Sequence, residues 1–198
     1  AIDYMWHVRS VCSSLDTSEW SSDAFFSTTQ PLQHLPYLCT FDSQMENSQW
    51  ILLNGNSENQ WVIDNAIGYG GGNALYISND SGATHAYSIN SSSSVWAYRD
   101  VCFDDNHLAY QLSFDFKGMG QNAADYMQAY IGKPAAPSGT ATPNSAVKLG
   151  GQLSNANDWT HYSFILDSTY VGIQRIYFLW TNNNSVGVLP PAAVDNLF

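Results

Sequence analysis

Short β-forming runs recur through residues 37–198 about every 10 to 15 residues, separated by turns rich in Gly, Asn and Ser. Residues 110–117 alternate most cleanly. Tyr110, Leu112, Phe114 and Phe116 fall on one face, and Gln111, Ser113, Asp115 and Lys117 on the other. That period of two belongs to a strand with one buried face. Further strands are expected at 37–42, 50–53, 60–63, 74–78, 86–89, 95–103, 125–131, 159–166, 173–180 and 192–198. No stretch carries the apolar spacing of an amphipathic helix of normal length. The pattern predicts an all-β domain, a jelly-roll β-sandwich.

The 198 residues suit one large all-β domain, or one domain plus a fragment. Hydrophobic residues at 44% and aromatics at 14% supply a packed core, which argues against wholesale disorder. Six Lys and Arg face seventeen Asp and Glu, for a net charge of −11. That balance argues against nucleic acid and anionic membranes, whose phosphates require a basic patch. It is compatible with cation binding and a secreted or cell-surface setting. No apolar run approaches the roughly 20 residues of a membrane helix. Without an initiator Met or signal peptide, the chain reads as a piece of a longer polypeptide. Cys12, Cys39 and Cys102 lack the C-x-x-C spacing of a zinc site. They suit one disulfide plus a free thiol, or three thiols, with the pairing open.

Tyr4, Trp6 and Val8 alternate with Met5, His7 and Arg9, and residues 24–28 form a second short run, so the two read as a hairpin-like pair. Tyr4-x-x-x-Val8-Arg9-x-x-Cys12, Thr17-Ser18-x-Trp20-Ser21 and Phe26-x-Thr28 resemble the closing strands of a fibronectin type III module. Two strands alone do not make a stable core. The expected organisation is a partial fibronectin type III-like module at 1–29, a proline-containing linker at 30–36 and the jelly roll at 37–198.

The closing run, Ala192 to Phe198, is apolar apart from Asp195 and Asn196. A carboxylate in a buried strand needs a partner. If strand 37–42 lies beside it, Asp42 and Asp195 meet at the sandwich edge, where a hard cation relieves their repulsion. The alternative is that Asp195 caps a turn or pairs with Arg99 or Arg175. Asn79 and Asp80, followed by Ser81 and Gly82, read first as a turn and second as further metal ligands. Trp159, Trp180, Tyr69 and Tyr170 lie nearest turn signals and are candidates for stacking on sugar rings, with burial as the competing reading. Trp50 and Trp61 read as core. No H-E-x-x-H, G-x-S-x-G or Glu-x-Asp-x-Glu marks a catalytic site, so no enzyme activity is expected.

From Phe41 to Leu197 the motif order is similar to the cleaved-adhesin family, the jelly-roll modules of gingipain-type haemagglutinin regions, themselves similar to MAM domains. The matching residues include Leu35-Pro36-Tyr37, Phe41-Asp42, Trp50, Gln60-Trp61, Leu75 through Gly82, Tyr98-Arg99-Asp100, Leu112 through Phe116, Arg175 through Phe178 and Ala193-Val194-Asp195-Asn196. The family pattern has Phe-Glu where this chain has Phe41-Asp42. The resemblance implies a structural calcium on Asp42 and Asp195. It also implies a non-catalytic, extracellular adhesin-type module that recognises carbohydrate or a matrix protein. The alternative is an accessory or spacer domain of a larger secreted hydrolase.

Overall fold

The computed structural model describes residues 3–13, 16–27, 30–121 and 123–198. The chain divides into two compact units, Ala1–Pro31 and Leu32–Phe198. In the first, strands β1 (Asp3–Trp6), β2 (Val11–Ser13), β3 (Asp16–Thr17) and β4 (Ala24–Ser27) form two antiparallel pairs, β1 with β4 and β2 with β3. Thr28, the end of the second expected strand, lies outside the described residues.

The second unit opens with β5 (Gln33–His34) and a one-turn helix, α1 (Gln44–Asn47). Then follow β6 (Ile51–Leu53), β7 (Gln60–Asp64), β8 (Ala74–Ser78), β9 (Ser93–Phe103) and β10 (Ala109–Gly118). The unit ends with β11 (Tyr126–Gly132), β12 (Ala146–Leu153), β13 (Ala156–Asp167), β14 (Gly172–Asn182) and β15 (Ala193–Asp195). One sheet runs β13–β10–β15–β8–β7. The other runs β12–β11–β14–β9, with β5 and β6 both pairing with β9. Among the described residues every strand pairing is antiparallel except β5 with β9. The two sheets form a jelly-roll β-sandwich.

Alternation decides which residues enter the core. Tyr110, Leu112, Phe114 and Phe116 of β10 all point inward and are buried, against Trp50, Phe178 and Val194 among others. Trp50 and Trp61 are core residues, as their apolar surroundings predict. Among the described residues no helix is long and apolar enough to cross a membrane. Cys12, Cys39 and Cys102 are free thiols, Cys39 buried and Cys12 exposed.

Three segments depart from expectation. Residues 37–42 form a single bridge, Cys39 with Leu197, rather than a strand. Phe41 adopts a left-handed φ of 57°, which turns the chain out of the sheet and into α1. Residues 86–89 are not a strand. The backbone of Ser88 is bound by the side chain of Asn59, which accepts from its N–H at 2.7 Å and donates to its carbonyl at 3.0 Å, in place of a ladder partner. Strand β12, conversely, was not foreseen. Its Gly150-Gly151 pair weakens the β signal, yet the edge of β11 supplies partners for it.

Candidate calcium and ligand site

Strand β15 lies between β10 and β8, with Val194 in the core and Ala193 and Asp195 on the outer face. Asp195 is 2% exposed, and its register partner on β10 is Asp115. Asp115 is satisfied from two sides: His161 of β13 lies 2.9 Å from its Oδ1, and Asn196 Nδ2 donates to its Oδ2 at 2.8 Å. Asp195 accepts the Tyr69 N–H at 2.8 Å and the Asn196 N–H at 2.7 Å. These bonds favour its ionised form. Burial, reinforced by the carboxylates of Asp42 and Asp115, outweighs them and pushes its pKa up to about 6.

Asp42 sits just past the left-handed Phe41 and is exposed. Its Oδ1 accepts the Asn73 N–H at 2.9 Å. Asn73 also donates its side-chain amide to the Phe41 carbonyl at 3.1 Å, and Asn47 of α1 donates to the same carbonyl at 2.6 Å. The loop between β7 and β8 therefore holds both carboxylates with its backbone, Tyr69 on Asp195 and Asn73 on Asp42. Gly72 allows this approach: a Cβ there would lie 2.5 Å from the Asp42 Oδ1. Asp42 and Asp195, paired here from the sequence, thus belong to one constellation. Among the described residues neither forms an ion pair with Lys, Arg or His.

The donor set meets what calcium accepts: oxygen ligands from carboxylates, amides and backbone carbonyls. Among the described residues no three His, Cys, Asp or Glu side chains gather to hold a metal. An ion here would rest on two carboxylates, the Asn73 amide oxygen and backbone oxygens, a set that suits a hard cation and not zinc. The observation favouring a cation is the nearly water-excluded Asp195 with a second acid beside it and no basic partner.

Asn79 and Asp80 lie apart from this group, beyond the opposite end of β8 from Asn73. Asp80 closes a turn, accepting from Ser78 Oγ at 2.6 Å, Thr84 N–H at 2.9 Å and Thr84 Oγ1 at 2.7 Å. These bonds hold its carboxyl below the usual range. The turn reading accounts for Asp80.

Of the four aromatic candidates, the fold brings two together. Tyr69 is 55% exposed and meets the half-buried Trp159 edge-on, with ring centroids 6.1 Å apart. Trp159 leans on Ala74, Tyr76 and Ala193 of the outer sheet face. Trp180 is a correction. It is 1% exposed in the core, its indole donating to Asn182 Oδ1 at 3.2 Å and its ring edge-on to Tyr87. Facing inward on β14, it offers no surface to a ligand. Tyr170 lines a separate groove between β12 and β13, with Val147, Phe164 and Ile165. Arg99 and Arg175, the alternative partners for Asp195, are engaged elsewhere, with Glu46 at 2.7 Å and Asp100 at 2.5 Å. Asp115, His161 and Asn73 were missed because their roles depend on strand register and loop approach. The only sequence signal was Asp115 on the polar face of an alternating strand.

No protein-family model matches the chain, and no curated protein matches it. Solved structures of similar fold include the enzymatically active domain of bacteriophage CBA120 tailspike protein 4, at 12% identity and a TM-score of 0.50. That match covers 80% of this chain but only 20% of the tailspike chain. The CBM22-1 xylan-binding domain of Paenibacillus barcinonensis Xyn10C aligns at 12% identity and a TM-score of 0.48, covering 81% of this chain and 90% of that one. A carbohydrate-binding module of the β-sandwich superfamily aligns at 12% identity and a TM-score of 0.49, covering 98% and 72%. At 12% identity the likeness to the tailspike domain is one of fold alone.

Proposed function

We propose that the Leu32–Phe198 unit is a non-catalytic carbohydrate-binding module, built around one structural calcium and acting outside the cell. The observation that carries the reading is the exposed Tyr69, on a loop whose backbone grips both Asp42 and Asp195, set against the half-buried Trp159 of β13. Flat aromatic faces at an exposed site suit the apolar C–H faces of sugar rings, while their edges leave the hydroxyls to water and neighbouring polar groups. The surrounding acids and the net charge of −11 disfavour uronate and sulfated glycans. The ligand class is therefore a neutral glycan. In its finer form this is an adhesin-type module of a secreted or surface protein, in which a glycan or a glycosylated matrix protein is the partner.

Asp42, Asp195 and the Asn73 amide oxygen would hold the calcium, which supplies the positive charge that lets both carboxylates stay ionised. The residues do the rest. Asp195 fixes the Tyr69 backbone, Asp42 fixes that of Asn73, and the loop between them presents the Tyr69 ring to Trp159.

The test is calorimetric titration with a panel of neutral glycans, including xylan, with calcium and with EDTA. Trp159→Ala or Tyr69→Ala should weaken binding at least tenfold, about 1.4 kcal/mol, with the fold retained by circular dichroism. EDTA should weaken binding by loosening the loop. A wild-type protein that binds none of the panel, or variants that bind as wild type does, would overturn the reading in favour of a spacer.

A further inference from the structure

The outer face of the second sheet carries a row of aromatic rings that the proposed site does not use. Tyr130 of β11, Trp96 of β9, Tyr177 of β14 and Tyr98 of β9 follow one another, with centroids 5.5 Å, 6.1 Å and 5.9 Å apart. They make up a small apolar cluster separate from the main core, together with Leu179 and Ala146. Arg175 lies over Tyr98 at 4.2 Å, its charge met by Asp100.

Residues 133–145, the connection between β11 and β12, fold back over this row as a strap. The row's polar groups are engaged by strap atoms. The Trp96 indole donates to the Gly139 carbonyl at 2.8 Å. The Ala135 N–H donates to the Tyr177 hydroxyl at 3.0 Å, and Arg175 Nη1 donates to the Ala135 carbonyl at 3.1 Å. The Thr142 side chain reaches the Tyr130 phenol. Pro137 and Pro143 are buried, while most other strap residues are exposed. The row's N–H and O–H groups thus meet strap carbonyls, an amide and a hydroxyl. A neutral oligosaccharide offers C–H faces to the rings, and hydroxyls that both donate and accept in place of the strap's peptide groups.

The strap is not needed to connect its strands. Gly132 and Ala146 are register partners, so a two-residue turn would close the β11–β12 hairpin. The connection holds one isolated bridge, Ser138 with Ala141, and connections of this length with so little regular structure are commonly lids or binding loops. Few buried residues and a largely exposed backbone place such a segment at the low-stability end of a domain.

We propose that the strap is the resident occupant of a second carbohydrate-binding surface, and that its displacement opens Tyr130, Trp96, Tyr177 and Tyr98 to a neutral oligosaccharide. The surface is distinct from the Tyr69–Trp159 pair, and its test is made in the Trp159→Ala background so that the two readings fail separately. Residues 133–145 are replaced by Asn-Gly, and cellohexaose, xylohexaose and mannohexaose are titrated against the shortened and unshortened Trp159→Ala proteins. Shortening should raise affinity for at least one of them tenfold or more, and adding Trp96→Ala should remove the gain. A folded, shortened protein with no gain overturns the proposal. Hydrogen exchange in the unshortened Trp159→Ala protein is the second measurement, and it decides alone if shortening prevents folding. Saturating hexasaccharide should speed exchange at residues 135–142, whereas unchanged or slower exchange there overturns the proposal.

Discussion

Asp195 is recognisable from sequence as a residue in need of a partner, with Asp42 one candidate beside Arg99 and Arg175. The surrounding detail is not. Asp115 comes beside it through the β10–β15 register, and Tyr69 and Asn73 through a loop that sequence marks only as glycine-rich. This setting has a pH consequence. A carboxyl whose folded pKa is raised to about 6 binds more protons folded than unfolded between its ordinary range and pH 6. Without metal, Asp195 therefore stabilises the fold as pH falls from 7 towards 4, by up to about 3 kcal/mol. His85 works the other way over part of the same window, because burial pushes its imidazole down to about 4 and protonating it costs stability. The contribution of Asp195 is thus read as a difference. In EDTA, the change in unfolding free energy between pH 7 and pH 5 should be more favourable to the wild type than to Asp195→Asn. Saturating calcium, which requires the ionised form, should abolish that advantage.

At the scale of elements, legibility followed burial. Strand β10 was read correctly because its alternation is complete and one face is wholly apolar. Strand β12 was not, because an edge strand held by its neighbour tolerates glycines that weaken its local signal. Helix α1 has one turn and no buried residue, so no periodicity could announce it. It is held through Glu46, which accepts from Arg99 Nε at 2.7 Å, Tyr37 Oη at 2.6 Å and Gln33 Nε2 at 3.2 Å. Arg99 is fully buried, and a buried guanidinium that loses its carboxylate is costly. Glu46→Ala should lower the unfolding free energy in urea by about 3 kcal/mol, while the spectroscopic signature of the β-sandwich is retained. A loss under 1 kcal/mol would show that α1 is only loosely tied to β9.

At the scale of the whole molecule, the second unit closes its beginning against its end. Cys39 and Leu197 exchange backbone hydrogen bonds at 2.8 Å and 3.0 Å, and the Asp42–Asp195 constellation lies beside that bridge. A cation there ties together segments more than 150 residues apart in the chain. Binding to the folded state alone stabilises by mass action, about 2.7 kcal/mol at a hundredfold excess over Kd. Calcium should accordingly raise Tm by about 5–10 °C over the EDTA-treated protein. The Asp42→Ala variant should show no such rise, and an unchanged wild-type Tm would overturn the proposed calcium. The sequence by itself determined the all-β class and the sandwich core, because both follow from local periodicity. Only the tertiary structure decided that Tyr69 meets Trp159, that Trp180 is core and that a strap covers the aromatic row. Those outcomes depend on register and on the approach of loops distant in sequence, which no local pattern of residues encodes.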